Sequence, residues 1–319
     1  MNKYHYIVDT KLIAYYLIQR YRPITDIFNK LAELLMHLKK RGTIYACFDV
    51  GKSSYRLAEQ SYYKGHRDTL RRKLGAKALE EHAKFNEDYL KLLEVFKRLN
   101  VQVLAIEGVE ADDLASLLTE DLKKNPDNKI TLITGDHDWL HMVAGTNKVR
   151  LFDFPQDQFW YTKTIEQAHG VTSRRQFSIK KSITGDKSDN IKFMKNLADV
   201  RGTYVYNDIY ALHDDPTDEQ IIEFIENFAE NEPKIVVHPY HVQDGRTTIR
   251  EAFLSNMKIA DPFTDTACLT APQAEVWKNI ITHNHSETIS AHDLDWFFIN
   301  NFGYLKTLTK DAHRIFGVK

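Results

Sequence analysis

Residues 129–139, KITLITGDHDW, contain the pattern that decides the fold: a short apolar run that ends in closely spaced acidic residues. The run has the length and the β-branched content of a buried strand. Similar runs end at Asp9 (YHYIVD), at Asp49 (IYACFD) and just before Glu110 (VQVLAIEGVE). Helical patterns separate these runs, which predicts an α/β fold with a central, mostly parallel sheet and flanking helices. Such sheets place their ligands at the carboxyl ends of the strands, where we expect the acids to meet.

Nine carboxylates share this placement, because each lies at the end of an apolar run or at the start of a predicted helix. They are Asp9, Asp49, Glu110, Asp112, Asp113, Asp136, Asp138, Asp186 and Asp189. Clustered carboxylates oppose one another's ionisation unless cations separate them. Oxygen ligands favour hard ions, so we expect Mg²⁺ or Mn²⁺. Single acids at caps and turns are common without metals, and the prediction therefore depends on the whole set.

Three motifs place these acids close together in the sequence. In VEADDLASLL (109–118) they fall at a predicted helix N-terminus, whose dipole favours carboxylates. Asp136 and Asp138 alternate along a segment predicted to be extended, and Asp186 and Asp189 lie one predicted helical turn apart. Two clustered divalent ions would clamp the attacking and leaving oxygens of a displacement at phosphorus.

Composition excludes several classes of protein. The 319 residues are 43% hydrophobic and 27% charged, with a net charge of −1, as in an ordinary globular protein. No apolar stretch is long enough to cross a bilayer, and the N-terminus lacks a signal-peptide core, so no membrane association is expected. The two cysteines form neither a disulfide framework nor a zinc motif, and a cytoplasmic location is expected.

The small net charge is an average over opposed regions. Residues 64–77 carry six Lys/Arg against one Asp, and residues 174–201 carry eight against three. Basic surfaces beside an acidic pocket suit a polyanion, although either segment alone could be a solvated helix face. Lys64 and Arg67 could supply charge to a scissile phosphate. Tyr63 could stack on a terminal base, or it could be a core aromatic.

Six motifs carry a family resemblance: IVDT, CFDVGKSSYR, YYKGHRD, VEADDLAS, TGDHDW and ITGDKSDN. In this order and spacing, over residues 1–202, they resemble the 5′-nuclease family of flap endonucleases and 5′–3′ exonucleases. The helical tail, with LSNMKIAD and FFINNFGYLKTL, most resembles the bacteriophage ribonuclease H-type members. Its aromatic residues Trp296, Phe297, Phe298 and Phe302 are predicted to pack as a helix.

The resemblance implies roles for the acids and for the basic segment. One metal ion would be held by Asp9, Asp49, Glu110, Asp112 and Asp136, the last also counted as catalytic. A second would be held by Asp113, Asp138, Asp186 and Asp189. Lys64 and Arg67 match the catalytic basic pair at the base of a helical arch over about residues 64–90. Nucleic-acid contacts within that arch would come from Arg71, Arg72, Lys73 and Lys77.

The domain organisation follows from the same resemblance. Residues 1–182 would form the α/β nuclease core with its arch, and residues 183–319 a modified helix–hairpin–helix region followed by a helical C-terminal subdomain. Phe193, Asn196 and Ala198 stand where the hairpin's glycines are expected, so a tight backbone amide cradle is disfavoured. The contacts with nucleic acid would be made instead by Lys192, Lys195 and Arg201, unless these residues lie on a solvated helix face.

The predicted function is a two-metal-ion 5′ nuclease that hydrolyses phosphodiesters near 5′ ends. Its substrates would be DNA with a 5′ flap, nick or single-stranded 5′ end, or an RNA primer on DNA, in lagging-strand replication. A monomer is expected, with a single-strand-binding protein or sliding clamp as partners by resemblance only.

Three alternative functions stay open from the sequence. The first is a PIN-like ribonuclease, which shares the sheet and some of the acids. The second is a magnesium phosphatase of the haloacid dehalogenase type, although Lys11 stands where that chemistry needs a second acid. The third is an inactive DNA-binding accessory protein, which would have little reason to retain nine costly carboxylates.

Overall fold

The computed structural model describes residues 4–20, 24–73, 75–98, 101–197 and 200–282. The chain forms two compact units, and each unit is built from separate stretches of sequence. Unit 1 comprises Met1–Lys52, Glu80–Gly170 and Phe263–Lys319, and unit 2 comprises Ser53–Leu79 and Val171–Pro262. The sequence predicted a single division at residues 182/183, whereas the units change at four points along the chain.

The strands of the described residues form a six-stranded and a two-stranded sheet. They are β1 (Tyr4–Asp9), β2 (Thr43–Phe48), β3 (Gln102–Ala105), β4 (Lys129–Thr134), β5 (Val149–Asp153), β6 (Gln158–Trp160), β7 (Met194–Lys195) and β8 (Val236–Val237).

The helices between them alternate with the strands in unit 1 and dominate unit 2. They are α1 (Thr10–Arg20), α2 (Ile24–Lys39), α3 (Ser54–Glu59), α4 (Gly65–Lys73), α5 (Ala76–Arg98), α6 (Ala111–Lys123), α7 (Thr162–His169), α8 (Arg174–Thr184), α9 (Val200–Leu212), α10 (Asp218–Glu230), α11 (Pro239–Gln243), α12 (Ile249–Ala260) and α13 (Ala271–Thr282). Two short 3₁₀ helices cover His137–Met142 and Thr266–Cys268.

The large sheet of unit 1 has the strand order β3-β2-β1-β4-β5-β6. Every neighbouring pair is parallel except β5–β6, as predicted from the alternation of strands and helices. Ile7 and Val8 are consecutive and both fully buried, although consecutive strand residues point to opposite faces. Both faces of β1 are therefore covered, as in other parallel sheets. The predicted mostly parallel α/β fold is confirmed.

This arrangement brings together acids from distant parts of the sequence. Strands β2, β1 and β4 are adjacent and parallel, so their carboxyl ends lie side by side. Asp9 closes β1, Asp49 directly follows β2, and Asp136 lies two residues after β4. The sheet topology thus produces the predicted carboxylate edge.

Unit 2 is mainly helical, in agreement with the helical subdomain predicted within residues 183–319. Helix α8 packs against α9 and α12, and α12 also contacts α3 and α10. Gly202 permits the close approach of α9 to α8, because a Cβ there would lie 3.0 Å from Thr184 Cα. In unit 1, helix α13 ends at residue 282, the last described residue. The predicted tail helix with Trp296, Phe297, Phe298 and Phe302 lies outside the described residues.

Among the described residues, no helix combines the length and the apolarity that crossing a bilayer requires.

Candidate active site

Asp9 is one of several buried carboxylates near the carboxyl edge of unit 1. Its side chain is nearly buried, with 6% exposed. Thr134 Oγ1 donates to Asp9 Oδ2 at 2.7 Å, and the Leu12 amide at the start of α1 donates to Oδ1 at 3.1 Å. These two hydrogen bonds fix the carboxylate across the ends of β1 and β4.

Burial and neighbouring charge both disfavour ionisation of Asp9. Burial is the largest cause and Asp49 the next, with a smaller effect of Asp136, and together they raise the pKa of Asp9 to about 7. The hydrogen bonds from Thr134 and Leu12 act in the opposite direction but do not offset these effects. An excess of negative charge in a nearly buried position is the condition that a bound divalent cation relieves. This part of unit 1 therefore fits a hard metal ion.

Asp49 connects β2 to the start of α6. Its Oδ1 accepts a hydrogen bond from the Ala111 amide at 2.7 Å, and its Oδ2 lies 3.3 Å from Lys11 Nζ. Glu110 is the N-cap residue of α6 and is 6% exposed. The Ala111 amide and the helix dipole at this terminus favour the nearby carboxylates, and the sequence predicted this effect of the dipole.

The other two acids of VEADDL are held in different ways. Asp112 Oδ1 accepts a hydrogen bond from Trp139 Nε1 at 2.7 Å, which ties the first turn of α6 to the TGDHDW motif. Asp113 is fully buried, and its Oδ1 accepts from the Phe263 amide at 3.2 Å. Asp113 thus has a structural contact within unit 1, and its predicted role as a metal ligand stays a prediction.

The TGDHDW motif is a turn into a 3₁₀ helix, and the prediction of an extended segment is wrong. Asp136 caps this helix, since its Oδ1 accepts from the Asp138 amide at 2.9 Å. His137 Nε2 lies 3.0 Å from Oδ2 of the buried Asp153, one strand away. An aspartate side chain that caps the following turn stabilises that turn relative to extended backbone. Capping by Asp136 therefore explains why this segment is not extended.

In unit 2, Asp189 has cationic partners in its own unit. Its Oδ1 lies 3.1 Å from Arg67 Nη2 and 3.5 Å from Lys64 Nζ. Lys181 Nζ lies 3.8 Å from Asp189 Oδ2 and 2.9 Å from Asp186 Oδ2. Although burial opposes it, the charge of Lys181 and hydrogen bonds from Ser188 and Lys181 hold the pKa of Asp186 well below its ordinary value.

Lys64, Arg67, Asp186 and Asp189 are therefore brought together as the sequence predicted. Lys181 was missed. It lies in the last turn of α8, five residues before Asp186, and a basic residue at that distance from an acidic turn is the signal that could have identified it. The three cations of this cluster outnumber its two carboxylates, so the cluster carries a net positive charge.

The segment containing Asp186 and Asp189 is a closed turn, whereas the sequence predicted a helical turn. The amides and carbonyls of Asp186 and Ile191 exchange two hydrogen bonds, at 2.9 and 2.8 Å. Asp186 Oδ1 accepts from the Ser188 amide at 2.6 Å inside this turn. Gly185 allows it to close, because a Cβ there would lie 2.7 Å from the Ile191 carbonyl oxygen. The two acids are three residues apart and both lie within 4 Å of Lys181 Nζ.

A buried polar network fixes this turn to the segment that carries Lys64. His241 is fully buried, and its Nε2–H donates to the Lys192 carbonyl at 2.7 Å. Its Nδ1 can then accept from the Tyr62 hydroxyl at 3.2 Å. Asn190 Nδ2 donates to the Tyr62 carbonyl at 3.0 Å, and the Lys64 amide donates to the Asp189 carbonyl at 3.0 Å. Lys64 itself has φ +52°, an unusual conformation for lysine that this bonding supports.

Tyr63 is buried at 2% exposure, and the prediction that it stacks on a base is wrong. Its ring packs with Ile191, Ile259 and Ala260, and its hydroxyl donates to Asp189 Oδ2 at 3.3 Å. The alternative role as a core aromatic, which the sequence left open, is the one found. A buried tyrosine commonly packs its ring in the core while its hydroxyl makes a hydrogen bond.

The predicted arch corresponds to two helices, α4 and α5. Lys73 at the end of α4 and Lys77 at the start of α5 are both exposed. Arg71 and Arg72 lie on α4. The helical character predicted for this region is confirmed, and contact of the four basic residues with nucleic acid stays a prediction.

The segment after the acidic turn lacks a glycine-rich hairpin. Phe193 is buried against Phe253, and Met194–Lys195 pairs with β8 as a short antiparallel strand. Lys195 and Arg201 are exposed, with Arg201 3.9 Å from Glu232. Asn196 supplies the left-handed conformation, with φ +65°, that a glycine would otherwise provide. Ala198 lies outside the described residues.

A family model described as the 5′-3′ exonuclease, N-terminal resolvase-like domain, matches residues 6–174, more than half of the chain. The chain belongs to this 5′-3′ exonuclease family. The matched range contains Asp9, Asp49, Asp136, Lys64 and Arg67, whereas the acidic turn with Asp186 and Asp189 lies beyond it.

Individual relatives agree with the family. The flap endonuclease of Escherichia phage T5 is 31% identical over 156 residues, which are 48% of this chain and 52% of that protein. The DNA polymerase I of Caldicellulosiruptor bescii is 25% identical over 183 residues, 56% of this chain and 20% of that protein. The aligned stretches thus span about half of the first relative and a fifth of the second.

Solved structures of similar fold include T5 5′-exonuclease with bound divalent zinc ions. The TM-score is 0.67 at 22% identity, covering 88% of this chain and 99% of the other. A complex of the T5 flap endonuclease with DNA and metal ions has a TM-score of 0.59 at 20% identity. These structures share the fold of this 5′-3′ exonuclease family member.

Proposed function

We propose that this chain is a divalent-metal-dependent 5′ nuclease that hydrolyses phosphodiesters near the 5′ ends of nucleic acids. The observation that carries the proposal is the carboxylate edge of unit 1, where Asp9 has a pKa of about 7 because burial and neighbouring acids disfavour its charge. Membership of the 5′-3′ exonuclease family and the basic pair of unit 2 support the same chemistry.

Each group of residues has a proposed role. Asp9, Asp49, Glu110, Asp112 and Asp136 hold one divalent ion, and Mg²⁺ or Mn²⁺ suits their all-oxygen donor set. When bound, such ions supply a Lewis acid and a means of activating water. A second ion, with Asp113, Asp138, Asp186 and Asp189 as ligands, is part of the proposal.

Lys64 and Arg67 stabilise the negative charge that develops on the scissile phosphate and its leaving oxygen. Their backbone is fixed by the buried network around Tyr62 and Asn190, and Asp189 orients both cations. Preorganised charge of this kind acts without the cost of reorganisation during the reaction. Lys73, Lys77, Lys195 and Arg201 hold the phosphate backbone by charge, together with Arg71, Arg72 and Lys192.

The proposed substrates are DNA with a 5′ flap, a nick or a single-stranded 5′ end, and RNA primers annealed to DNA. The proposed setting is lagging-strand replication in the cytoplasm, by a monomer that works beside a single-strand-binding protein or sliding clamp. The phosphatase alternative is not favoured, because Lys11 pairs with Asp49 and contributes a cation where that mechanism needs an acid.

The test is a product-length assay on 5′-labelled flap, nicked and RNA–DNA substrates with Mg²⁺, with Mn²⁺ or with EDTA. We expect short products released from the 5′ end in the presence of either ion and none in EDTA. Cleavage that persists in EDTA, or cuts that ignore the position of the 5′ end, would contradict the proposal.

A further inference from the structure

The large sheet of unit 1 is covered unevenly. Strand β1 is buried after Tyr4, whereas β5 alternates between buried and half-buried residues. Arg150 and Phe152 form the half-buried side of β5. On the neighbouring edge strand, Phe159 is 40% exposed. On this side the sheet is therefore only partly covered over β5 and β6.

Strand register identifies the cations on this face. Thr131 pairs with Arg150, and Arg150 Nε donates to Thr131 Oγ1 at 3.1 Å, so both side chains are on the same side. Lys129 is two residues before Thr131 and shares its side. Tyr4, the register partner of Lys129, begins β1 on this side as well.

Two further aromatic rings lie on this face. Phe159 pairs with Phe152, two residues after Arg150, and the Arg150 guanidinium lies 4.7 Å from the Phe159 ring centroid. Tyr161 follows β6 and is 6.0 Å from Phe159 between ring centroids. We name this surface the amino-edge face and define it by Tyr4, Lys129, Arg150, Phe159 and Tyr161.

The amino-edge face is cationic as well as aromatic. A cavity of about 310 Å³ opens at its end, and the residues that line it include Lys129, Lys148 and Arg150 but no aspartate or glutamate. Within the described part of the chain, none of these three cations has a carboxylate partner. Tyr4 is 48% and Tyr161 44% exposed beside them. Exposed rings grouped in this way usually mark a binding surface.

We infer that the amino-edge face binds single-stranded nucleic acid, with Phe159 and Tyr161 stacking on bases and Lys129 and Arg150 contacting phosphates. Aromatic rings interleaved with cations are the features of surfaces that bind single strands without sequence preference, because every base has a π-face. An acidic peptide would match the charges but would have no need of flat exposed rings.

This surface is separate from the carboxylate edge. Tyr4 and Lys129 begin β1 and β4, while Asp9 and Thr134 end them. Strands of this length extend roughly 17 Å from one end to the other. The inference therefore goes beyond the proposed cleavage and concerns a second contact with nucleic acid, at the opposite end of the same strands.

The experiment is photocrosslinking of the full chain in EDTA to a single-stranded oligonucleotide that carries 5-iodouracil. Near-ultraviolet light joins this base to stacked aromatic side chains, and trypsin releases residues 151–163 as one peptide. We expect crosslinks on this peptide at Phe159 or Tyr161. Crosslinks found only elsewhere in the chain would overturn the inference. Because EDTA suppresses cleavage, an enzyme that cuts nothing would still give the crosslink.

Variants separate stacking from charge. Phe159→Leu keeps apolar bulk but removes the ring, and we expect affinity for the oligonucleotide, measured by anisotropy, to fall at least about fivefold. Lys129→Ala should also weaken binding, while Lys124→Ala, an exposed lysine paired with Asp121, should not. If Phe159→Leu binds like the parent chain, or if a polyglutamate peptide displaces the oligonucleotide at equal charge, the surface is not a single-strand platform.

Discussion

Asp9 shows how a single residue links the sheet to its chemistry. Its hydrogen bonds come from Leu12 and Thr134, and within the described residues it has no cationic partner. Without a counter-charge, burial and the acids nearby raise its pKa to about 7. The carboxylate at the end of β1 is thus subject to electrostatic repulsion that a bound cation would remove.

Asp9→Asn should therefore stabilise the metal-free protein at alkaline pH. With a folded pKa raised to about 7, the native state binds the proton more tightly than the unfolded state, so stability falls as pH rises from about 4 to about 7. This difference corresponds to roughly 4 kcal/mol at most. Urea unfolding in EDTA at pH 8 should find the variant more stable, with the advantage disappearing near pH 4.

With magnesium present, the parent chain should instead be more stable than Asp9→Asn, since only the parent chain retains the full ligand set. Asp127→Asn, at an exposed loop carboxylate, is the matched control and should change neither comparison. An Asp9→Asn variant that is less stable than the parent chain in EDTA at pH 8 would contradict this account of Asp9.

Residue types alone could not assign Tyr63 or Lys181. A tyrosine beside a basic pair is equally compatible with base stacking and with a core, and tertiary packing on Ile191 and Ile259 decided between them. Lys181 is close to Asp186 because α8 ends at Thr184, with Gly185 as its C-cap, and the chain then folds back. The spacing of the acids does not show this contact, and the basic residue five positions before Asp186 is its sign in the sequence.

At the scale of elements, the acidic turn after α8 is held by groups far away in sequence. His241 in α11 bonds the Lys192 carbonyl, and Asn256 in α12 donates to the carbonyls of Ser182 and Lys192 at 2.9 and 3.0 Å. Such side chain–backbone bonds replace the regular pairing that a short irregular segment lacks. Sequence periodicity does not indicate that α11 and α12 contact this turn, because the contacts are non-local.

His241→Gln should reduce the sensitivity of the fold to acid. Burial is the main cause that lowers the pKa of His241 to about 4, so its imidazole is neutral in the native state. Stability is therefore lost as pH falls from about 6.5 to about 4, by roughly 3 kcal/mol through this group. Glutamine retains a donor for the Lys192 carbonyl but does not titrate.

The measurement is the difference in unfolding free energy between pH 7 and pH 4.5 for the two proteins. The parent chain should lose more stability than His241→Gln over this range. His213→Gln, a partly buried histidine in unit 2, serves as the control. Equal losses in all three proteins would show that His241 is not the titrating group.

The glycine-poor segment after the acidic turn predicts a particular mode of duplex binding. Lys195 and Arg201 are exposed and would contact phosphates directly by charge, without a cation held by backbone amides. Duplex affinity should be equal in K⁺ and Na⁺ at one ionic strength. Lys195→Ala with Arg201→Ala should reduce the slope of log affinity against log salt by about 2.

Anisotropy titrations over a salt series would check both expectations, with Lys124→Ala as the matched control. A marked preference for K⁺ would instead show that this segment binds a monovalent cation in some other form. An unchanged salt slope in the double variant would show that neither residue contacts the duplex phosphates.

At the scale of the whole molecule, the sequence predicted the parallel sheet, its acidic edge and the basic pair, because these depend on strand ends and on local spacing. It did not predict that the chain alternates between two units, since Ser53–Leu79 joins Val171–Pro262 and not its neighbours in the sequence. Contacts of that sequence separation leave no local pattern. The conformations of TGDHDW and GDKSDN were also mispredicted, because aspartate side chains capped turns where regular structure was expected.

Asp136→Asn tests the central claim most directly, because asparagine can still cap the 3₁₀ helix through its side-chain oxygen while the ligand charge is lost. The measurement is cleavage of a 5′-labelled flap substrate in Mg²⁺, with binding of the same substrate followed by anisotropy in EDTA. We predict that cleavage is abolished, by at least about a thousandfold, while binding persists. Full cleavage by this variant in Mg²⁺ would contradict the assignment of the carboxylate edge as the metal-dependent active site.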